Sequence, residues 1–314
     1  MVSHKLSVLS LLVSLSVSTW SKIIYAGVNE SGGEFASQNL PGQFGVDYAF
    51  INKTAVDIFT DQEQINLFRV TFLMERMCPL ETGLGSTFNE TYFSEFADAV
   101  NYITTEKGAY AILDPHNYMR YNDPSMQPFS GSPTQLVLDN NQAAVDGIRS
   151  TGAEQLILAP GNSWTGGHSW TQAAPNEPSS EFLNKLVDPL NNTAIDIHEY
   201  LGIIVPSRLN GSLITLAIQM KTFPEDTPNA LNLALDDLLT YLADNDVWIG
   251  WTAWAAGPFW GTFSPCCGSD TGSLEPGLLN ALGEPNAFDS VWTPAIKPHV
   301  PVDDLKRNGT SSLQ

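Results

Sequence analysis

The residues of this 314-residue chain that could do chemistry lie at the ends of short apolar runs. Arg69 lies in one such run, and His116 and His198 follow two others. In α/β folds with parallel strands, the carboxyl ends of the strands meet on one face, where active sites form. Basic and carboxyl side chains at that face suit proton transfer or stabilisation of developing charge. A single His or Arg at a strand end is more often structural than catalytic. Here polar residues follow six of the apolar runs, which favours a functional site.

Tryptophan residues accompany these polar positions. Trp164, Trp254 and Trp260 lie near strand ends, and the chain has eight Trp in all. Sugar rings stack their apolar faces on indole rings while their hydroxyls form hydrogen bonds. The combination favours a carbohydrate-binding cleft, although Trp248 and Trp251 fit equally well as packing between strands and helices.

The composition excludes several classes of partner. Lys and Arg number 14 against 34 Asp and Glu, a formal charge of −20. Binding to nucleic acid or to an anionic membrane surface depends on clustered basic residues, so neither is expected. The chain has no CxxC pair or His/Cys cluster, and no GxGxxG follows the first apolar run. We therefore predict neither a metal nor a dinucleotide cofactor.

The apolar runs predict the fold. They recur at intervals of roughly 45 residues with helical patterns between them, as in a (β/α)8 TIM barrel of the α/β class. A doubly wound sheet is the alternative, but it lacks the glycine-rich turn noted above. The runs span residues 23–28, 67–70, 110–113, 156–159, 194–197 and 248–251.

The chain ends are assigned from composition. Residues 1–18 have a short basic start, an apolar run and small residues, which predicts a signal peptide and secretion to the extracellular space. Residues 19–314 are assigned to a single barrel domain, with 261–314 as a loop-rich C-terminal extension.

Three cysteines, Cys78, Cys266 and Cys267, leave an odd thiol for a secreted chain. Sequons that predict a glycoprotein begin at Asn29, Asn52, Asn89, Asn191, Asn210 and Asn308.

Six motifs together carry a family resemblance. In chain order they are GVNESGGEF at 27–35, FRV at 68–70, DPHNY at 114–118, GNSWTG at 161–166, HEYL at 198–201 and WAAGP at 254–258. This ordered set resembles secreted fungal endoglucanases of glycoside hydrolase family 5. The resemblance implies a TIM barrel that cleaves internal β-1,4 bonds of cellulose with retention. It also implies a monomer that needs no cofactor and whose partner is the β-glucan substrate.

The resemblance also implies residue roles. Arg69 would hold the carboxylate of the nucleophile, and His198 and Tyr200 would orient the catalytic carboxylates. His116 would line the cleft as further catalytic support. The substrate-binding residues implied are Asn117, Trp164, Trp254 and Trp260.

The chain departs from the family where the catalytic carboxylates belong. A retaining glycosidase needs two carboxyl groups about 5–5.5 Å apart. The family pattern places the acid/base Glu after an Asn at the end of strand four, and the nucleophile Glu at the end of strand seven. No Asn-Glu lies between Asn117 and Pro133, and residues 212–220, though apolar, start too soon after the sixth strand for a crossover helix. We predict that segments of strands four and seven are missing and that the barrel is incomplete or distorted.

Other carboxyls are weaker candidates. Glu177 stands in Asn-Glu-Pro but follows the fifth strand in a Pro- and Ser-rich stretch. Strand alternation points Glu199 away from the pocket shared by His198 and Tyr200. Glu30 and Glu34 could contact substrate, and Asp114 before a proline fits a structural acceptor. The acid/base and nucleophile are thus not located.

Three interpretations remain open. The chain is an endoglucanase whose sequence as written lacks segments, a non-catalytic glucan-binding barrel, or an enzyme with rearranged carboxylates such as Glu177. Each predicts an open barrel. We also predict negligible hydrolysis of carboxymethyl-cellulose by the chain as written.

Overall fold

Seven strands form the framework of the protein. The computed structural model describes residues 23–85, 87–117, 120–122, 134–171, 178–200, 214–219, 228–260, 272–279 and 286–306. The strands are short and largely apolar, as in a sheet covered by helices. They are β1 Tyr25–Glu30, β2 Leu67–Phe72, β3 Tyr110–Pro115, β4 Ile157–Pro160, β5 Thr193–Tyr200, β6 Ile214–Gln219 and β7 Trp248–Ala256.

The strands form one parallel sheet with the neighbour order of a barrel. The order is β3-β2-β1-β7-β6-β5-β4, so β1 pairs with both β2 and β7, as the first and last strands of a barrel do. The chain passes from β3 through one helix to β4, yet these two strands do not pair with each other. The fold is therefore a (β/α)8 barrel that is open between β3 and β4 within the described residues, as the sequence predicts.

Helices cover the outside of the sheet. The side chain of Asn89 caps α3 by accepting hydrogen bonds from the backbone N–H groups of Thr91 and Tyr92, and that helix buries Tyr92 and Phe96 against the sheet. Apolar residues at helical spacing therefore form the helix face that packs against the strands. The helices are α1 Lys53–Asp57, α2 Met74–Met77, α3 Glu90–Asn101, α4 Thr134–Ser150, α5 Ser179–Phe182 and α6 Pro228–Ala243.

The C-terminal region contributes to the core. A further helix, Phe288–Ile296, buries Trp292, whose ring lies 5.1 Å from that of Phe59 at an angle of 72°. The indole N–H of Trp292 donates to Glu63 Oε2 over 2.9 Å. The segment 261–314, predicted as a loop-rich extension, thus supplies a helix that packs on the barrel.

The prediction that strand seven is missing is wrong. Ile214–Gln219 forms β6, which pairs in parallel with β5 and β7. An apolar run between two strands with open edges gains backbone hydrogen bonds on both sides, and this gain outweighs the short connection from β5. Glu225, which follows this strand in the sequence, lies outside the described residues.

The expected gap at strand four is present in the part of the chain that the structure describes. Leu113 in β3 is 54% exposed although it pairs in register with the fully buried Val70 of β2. A strand with a neighbour on one side alone leaves its other edge uncovered. The open position is thus next to β3, where sequence comparison with the family pattern places strand four.

Two further features of the described residues concern helix length and the cysteines. None of the helices among the described residues has the length and apolar character that a membrane crossing requires. Cys78 is buried and its thiol is not in a disulfide, whereas Cys266 and Cys267 lie outside the described residues.

Candidate active site

A cleft of about 770 Å³ opens at the carboxyl ends of the strands. It reaches from β3 across the open position to β4, so part of its wall is the gap itself. Most of the predicted site residues line it. The lining residues are Arg69, Met74, Leu84, Asp114, Pro115, His116, Asn117, Arg120, Tyr121, Asn140, Asn141, Pro160, Gly161, Asn162, Ser163, Trp164, Thr165, Asp196, His198 and Trp254.

Arg69, Asp114 and His116 form a charged cluster at the ends of β2 and β3. Arg69 Nη2 lies 3.0 Å from Asp114 Oδ2, and its Nη1 donates to Asn29 Oδ1 over 3.1 Å. His116 Nδ1 lies 2.8 Å from the same Asp114 oxygen. The carboxylate that Arg69 holds here is therefore Asp114, and its predicted contact with a nucleophile stays a prediction.

This cluster fixes the charges of its members. Burial would raise the pKa of Asp114, but Arg69 and His116 outweigh it and hold that pKa well below its usual range. Burial opposes the charged form of His116 as well, but Asp114 raises the pKa of this imidazole above its ordinary value. Asp114 is thus an anion and His116 is biased towards the imidazolium form.

A second carboxylate and imidazole pair lies on β5. Asp196 Oδ2 and His198 Nε2 are 3.3 Å apart, and both side chains line the cleft. Burial would raise the pKa of Asp196, but His198 and Arg69 lower it. The alternation of the strand that places Asp196 and His198 on one face turns Glu199 away, as predicted. Nothing is described for the side chain of Tyr200.

Trp254 lies against the charged cluster. Its ring stacks on the imidazole of His116 with centroids 5.4 Å apart, and the Arg69 guanidinium carbon lies 5.7 Å from the ring centroid. Trp260 contacts it edge-on at 5.5 Å. Trp254 is 7% exposed, so its stacking with His116 fixes the ring at the base of the cleft.

Trp164 stands at the opposite wall and is far more open. It is 43% exposed and lies in a left-handed turn whose φ angles are 51°, 57° and 55° at Ser163, Trp164 and Thr165. Thr165 Oγ1 donates to the backbone oxygen of Asp196 over 2.7 Å and accepts from the Gly161 N–H. Non-glycine residues rarely adopt this conformation, so these contacts hold an unusual turn that presents the indole to solvent.

Asn117 reaches the cleft wall but its amide group is already bonded. Its Nδ2 donates to Glu75 Oε2 over 2.6 Å, and its Oδ1 accepts from the Met74 N–H over 2.8 Å. Asn117 therefore fixes α2 beside the cleft. Sugar binding by this residue stays a prediction.

Several predicted positions fall elsewhere. Glu177 lies outside the described residues, so its role stays untested. Glu34 is held by Ser31, Gly32 and Thr71 in the loop after β1. Among the described residues, no group of three His, Cys, Asp or Glu side chains is arranged to hold a metal.

One of the six sequons is unsuited to carry a glycan. Asn29 is fully buried in β1, and its Nδ2 donates to the backbone oxygen of Ala253 over 3.0 Å. An oligosaccharide on that nitrogen would replace the bond and has no space. Glycosylation at the other sequons stays a prediction.

One cleft residue, Asp196, and the strand-joining contacts of Asn29 were not predicted from the sequence. Asp196 precedes His198 by two residues, and a two-residue spacing on a strand places side chains on one face, so this signal was available. Asn29 accepts from Arg69 and donates to β7, thereby joining three strands. Nothing in the local pattern distinguishes it from an ordinary strand-end residue.

Comparison with known proteins agrees with this geometry. The family description "Cellulase (glycosyl hydrolase family 5)" matches residues 28–131 and 121–259. The chain belongs to this family. It is 48% identical to "Endoglucanase 1" of Robillarda sp. over 98% of this chain and 97% of that protein. It is 32% identical to "Endo-beta-1,4-glucanase A" of Emericella nidulans over 83% and 91% of the two chains.

Solved structures of related proteins share the fold of this family 5 cellulase. The endo-β-1,4-glucanase Xac0029 of Xanthomonas axonopodis pv. citri matches with a TM-score of 0.70 and 25% identity, covering 90% of this chain and all of that one. XacCel5A in complex with cellopentaose matches with a TM-score of 0.69 and 26% identity over 86% and 99%. Endo-β-1,4-glucanase activity is thus the function of this family 5 cellulase.

The same comparisons locate the departure from the family. The alignment with the Robillarda protein spans 376 positions, more than the 314 residues of this cellulase, so that protein has stretches without a counterpart here. The family match divides into two parts that meet at residues 121–131. This is the interval between β3 and α4, in which the sequence lacks an Asn-Glu.

Proposed function

We propose that this cellulase is secreted and holds a β-1,4-glucan chain in the cleft between Trp254 and Trp164. The observation that carries the proposal is the cleft itself, which joins two indole rings to a ring of polar groups at the carboxyl ends of the strands. Indoles suit the apolar faces of glucose units, and the polar groups suit their hydroxyls. The cellopentaose bound by the relative XacCel5A supports an oligosaccharide as the ligand.

The described residues of the cleft are equipped to bind and orient sugar. Retaining hydrolysis needs a protonated carboxyl group as acid and a second carboxylate as nucleophile. Asp114 and Asp196 are the carboxyls that line the described cleft, and burial would raise both pKa values, but neighbouring Arg and His side chains hold them below the ordinary value. Neither can supply a proton near neutral pH, so the acid has to come from a Glu that the described cleft does not contain.

We therefore expect the chain as written to be a poor catalyst. Loss of a general acid costs a factor of about 10²–10⁴ in rate. The test compares the purified 314-residue chain with the Robillarda relative on carboxymethyl-cellulose. Reducing ends report turnover and viscosity reports internal cleavage. The expected result is a rate lower by at least about 10², and a rate equal to that of the relative would contradict the proposal.

A second candidate function is glucan binding without hydrolysis. The observation that favours it is the survival of the aromatic cleft beside a vacant strand position. Cellopentaose is titrated against the intrinsic Trp fluorescence, with product analysis by mass spectrometry. A saturable fluorescence change with intact cellopentaose supports binding alone, whereas release of shorter products supports the enzyme. No change at millimolar cellopentaose would contradict both.

Secretion and assembly state are part of the proposal. The support for secretion is the pattern of residues 1–18, which lie outside the described residues. Expression in a secreting fungal host is expected to deliver a monomer that lacks these residues. Retention of Met1 in the mature protein, or a dimer by sedimentation, would contradict the corresponding part.

A further inference from the structure

Two buried carboxyl groups lie outside the cleft chemistry. Glu30 and Glu275 are both fully buried. Neither oxygen of Glu30 has a hydrogen-bond partner among the described residues, and the same holds for Oε1 of Glu275. Buried carboxylates are normally paired or hydrogen-bonded because their desolvation is costly. Three unsatisfied oxygens in one region therefore need a physical explanation.

Both residues are attached to the carboxyl end of β7. Glu30 is the last residue of β1 and pairs in register with Ala256 of β7. The next residue, Gly257, donates its N–H to Glu275 Oε2 over 3.0 Å. The segment that carries Glu275 is attached to the same strand, because the Leu274 N–H donates to the oxygen of Ala255. Glu30 and Glu275 thus lie beside the same short stretch of backbone, residues 255–257.

No described cation compensates the pair. Burial raises the pKa of Glu30 well above its ordinary value, and the charge of Glu275 raises it further. Burial also raises the pKa of Glu275 to about 7, although the Gly257 N–H and the Asn52 amide act in the opposite direction. Among the described residues, no Lys, Arg or His side chain offsets either charge; Arg69 and His116 are engaged with Asp114.

We propose that Glu30 and Glu275 share one proton, with the Glu30 carboxyl group donating a hydrogen bond to Oε1 of Glu275. The shared proton satisfies the orphan oxygens and leaves one negative charge, which the Gly257 N–H stabilises. Removal of the proton by hydroxide leaves two buried anions side by side. The pair is therefore a latch between β1 and the end of β7 that holds in acid and opens in base.

The latch bears on the positions of cleft residues. Trp254 lies two residues before Ala256, and Asn29, which bonds Arg69 and the oxygen of Ala253, immediately precedes Glu30. Repulsion between the two carboxylates would strain both strand ends. Glu30 and Glu275 are positioning residues because they do not line the cleft.

The sign of the pH effect follows from the raised pKa values. The unfolded chain releases the shared proton at the ordinary pKa of about 4.5, whereas the folded chain retains it to higher pH. Stability is therefore greatest in acid and falls as the pH rises from about 4.5 through neutrality. The retained proton raises the unfolding equilibrium constant about tenfold per pH unit within this window.

The test uses a substitution that imitates the shared proton. In Glu30→Gln the amide nitrogen can donate to Glu275 Oε1 permanently, so no proton has to be retained. Urea unfolding of the full chain is measured from pH 5 to pH 8 by Trp fluorescence. We expect the unfolding equilibrium constant of Glu30→Gln to equal that of the wild type at pH 5. Above pH 5 it should rise with pH by up to tenfold less per pH unit than that of the wild type.

Two further variants make the result decisive. Glu275→Gln is expected to flatten the slope equally, because the proton belongs to the pair. Glu199→Gln is the matched control, since burial raises the pKa of Glu199 to about 7 and this residue lies on β5, which β6 separates from β7. It should remove its own share of the slope and leave that of the pair. Wild-type slopes in both pair variants would overturn the proposal, and this readout does not depend on glucan binding.

Discussion

The barrel has a closed side and an open side, and two residues in register show the difference. Val70 in β2 is fully buried between neighbours, whereas its partner Leu113 in β3 is 54% exposed. Both are apolar strand residues of similar size. Their different environments follow from the neighbours of their strands, because β2 lies between β1 and β3 while β3 ends the sheet. Among the described residues β3 has a neighbouring strand on one side alone, and this, and not the local sequence, determines the exposure of Leu113.

The same division separates binding groups from catalytic groups. Arg69 on β2 and Trp254 on β7 lie on the closed side, and Trp254 contacts both Arg69 and His116, which follows β3. The family pattern places the acid/base Glu on the strand that would fill the open position. A chain that loses this strand retains its means of holding sugar and loses its source of the proton.

The largest expected effect is restoration of activity by filling the gap. The change inserts, between Asn117 and Thr134, a strand segment that ends in the Asn-Glu of the family pattern. A supplied general acid is worth a factor of about 10²–10⁴, so hydrolysis of carboxymethyl-cellulose should rise by that amount. The control is the same insertion with the Glu of its Asn-Glu replaced by Gln. An insertion that folds and gives no higher rate of hydrolysis than this control would show that the open position is not the cause of the low activity.

The next effect concerns the ion pair that joins β2 on the closed side to β3. Arg69→Met leaves Asp114 buried without its main partner, which typically costs about 3–5 kcal/mol. The free energy of unfolding is measured by urea denaturation at pH 7. The control is Lys53→Met, which removes an exposed pair with Asp98 and should cost no more than about 1 kcal/mol. Equal losses of unfolding free energy in the two variants would contradict the account of a buried ion pair that joins β2 to β3.

A smaller effect tests the register pair directly. Val70→Ala should cost about 2 kcal/mol, because it removes buried methyl groups and leaves a cavity. Leu113→Ala removes more atoms but should cost less than about 1 kcal/mol, because much of that side chain is already in water. The free energy of unfolding of both variants is measured by urea denaturation. A larger loss at Leu113 would mean that β3 is covered in solution.

The smallest effect concerns Trp164 on the open side. Trp164→Ala should weaken cellopentaose binding about fivefold, equivalent to about 1 kcal/mol for one stacking contact. Stability should hardly change, because the ring is 43% exposed. Phe93→Ala is the matched control, since Phe93 is 45% exposed and does not line the cleft. Equal losses of affinity in the two variants would remove Trp164 from the binding site.

Most of the framework could be predicted from apolar runs. The runs at 67–70, 110–113 and 248–251 became strands because such segments are stable only when covered on both faces. The strand-end rule also brought Arg69, His116 and His198 to one cleft. β6 was misjudged because the length of a connection is a weaker constraint than two available strand edges.

Other parts could not be predicted for physical reasons. The contact between Arg69 and Asp114 depends on which neighbour strand is present, and no local pattern records that. Glu275 lies in a Pro- and Gly-containing stretch without periodicity, so its burial beside Glu30 is a product of tertiary packing. Asp196 was within reach, because it shares a strand face with His198.

Amide hydrogen exchange tests the open barrel most directly. The N–H groups of Tyr110 and His116 donate to β2, so alternation directs those of Ala111 and Leu113 to the gap. The N–H of Ile157 donates to the segment before β5, which directs that of Leu158 to the gap from the other side. We predict fast exchange at Ala111, Leu113 and Leu158 and slow exchange at Ile112. Protection of Ala111, Leu113 and Leu158 as strong as that of Ile112 would contradict the account.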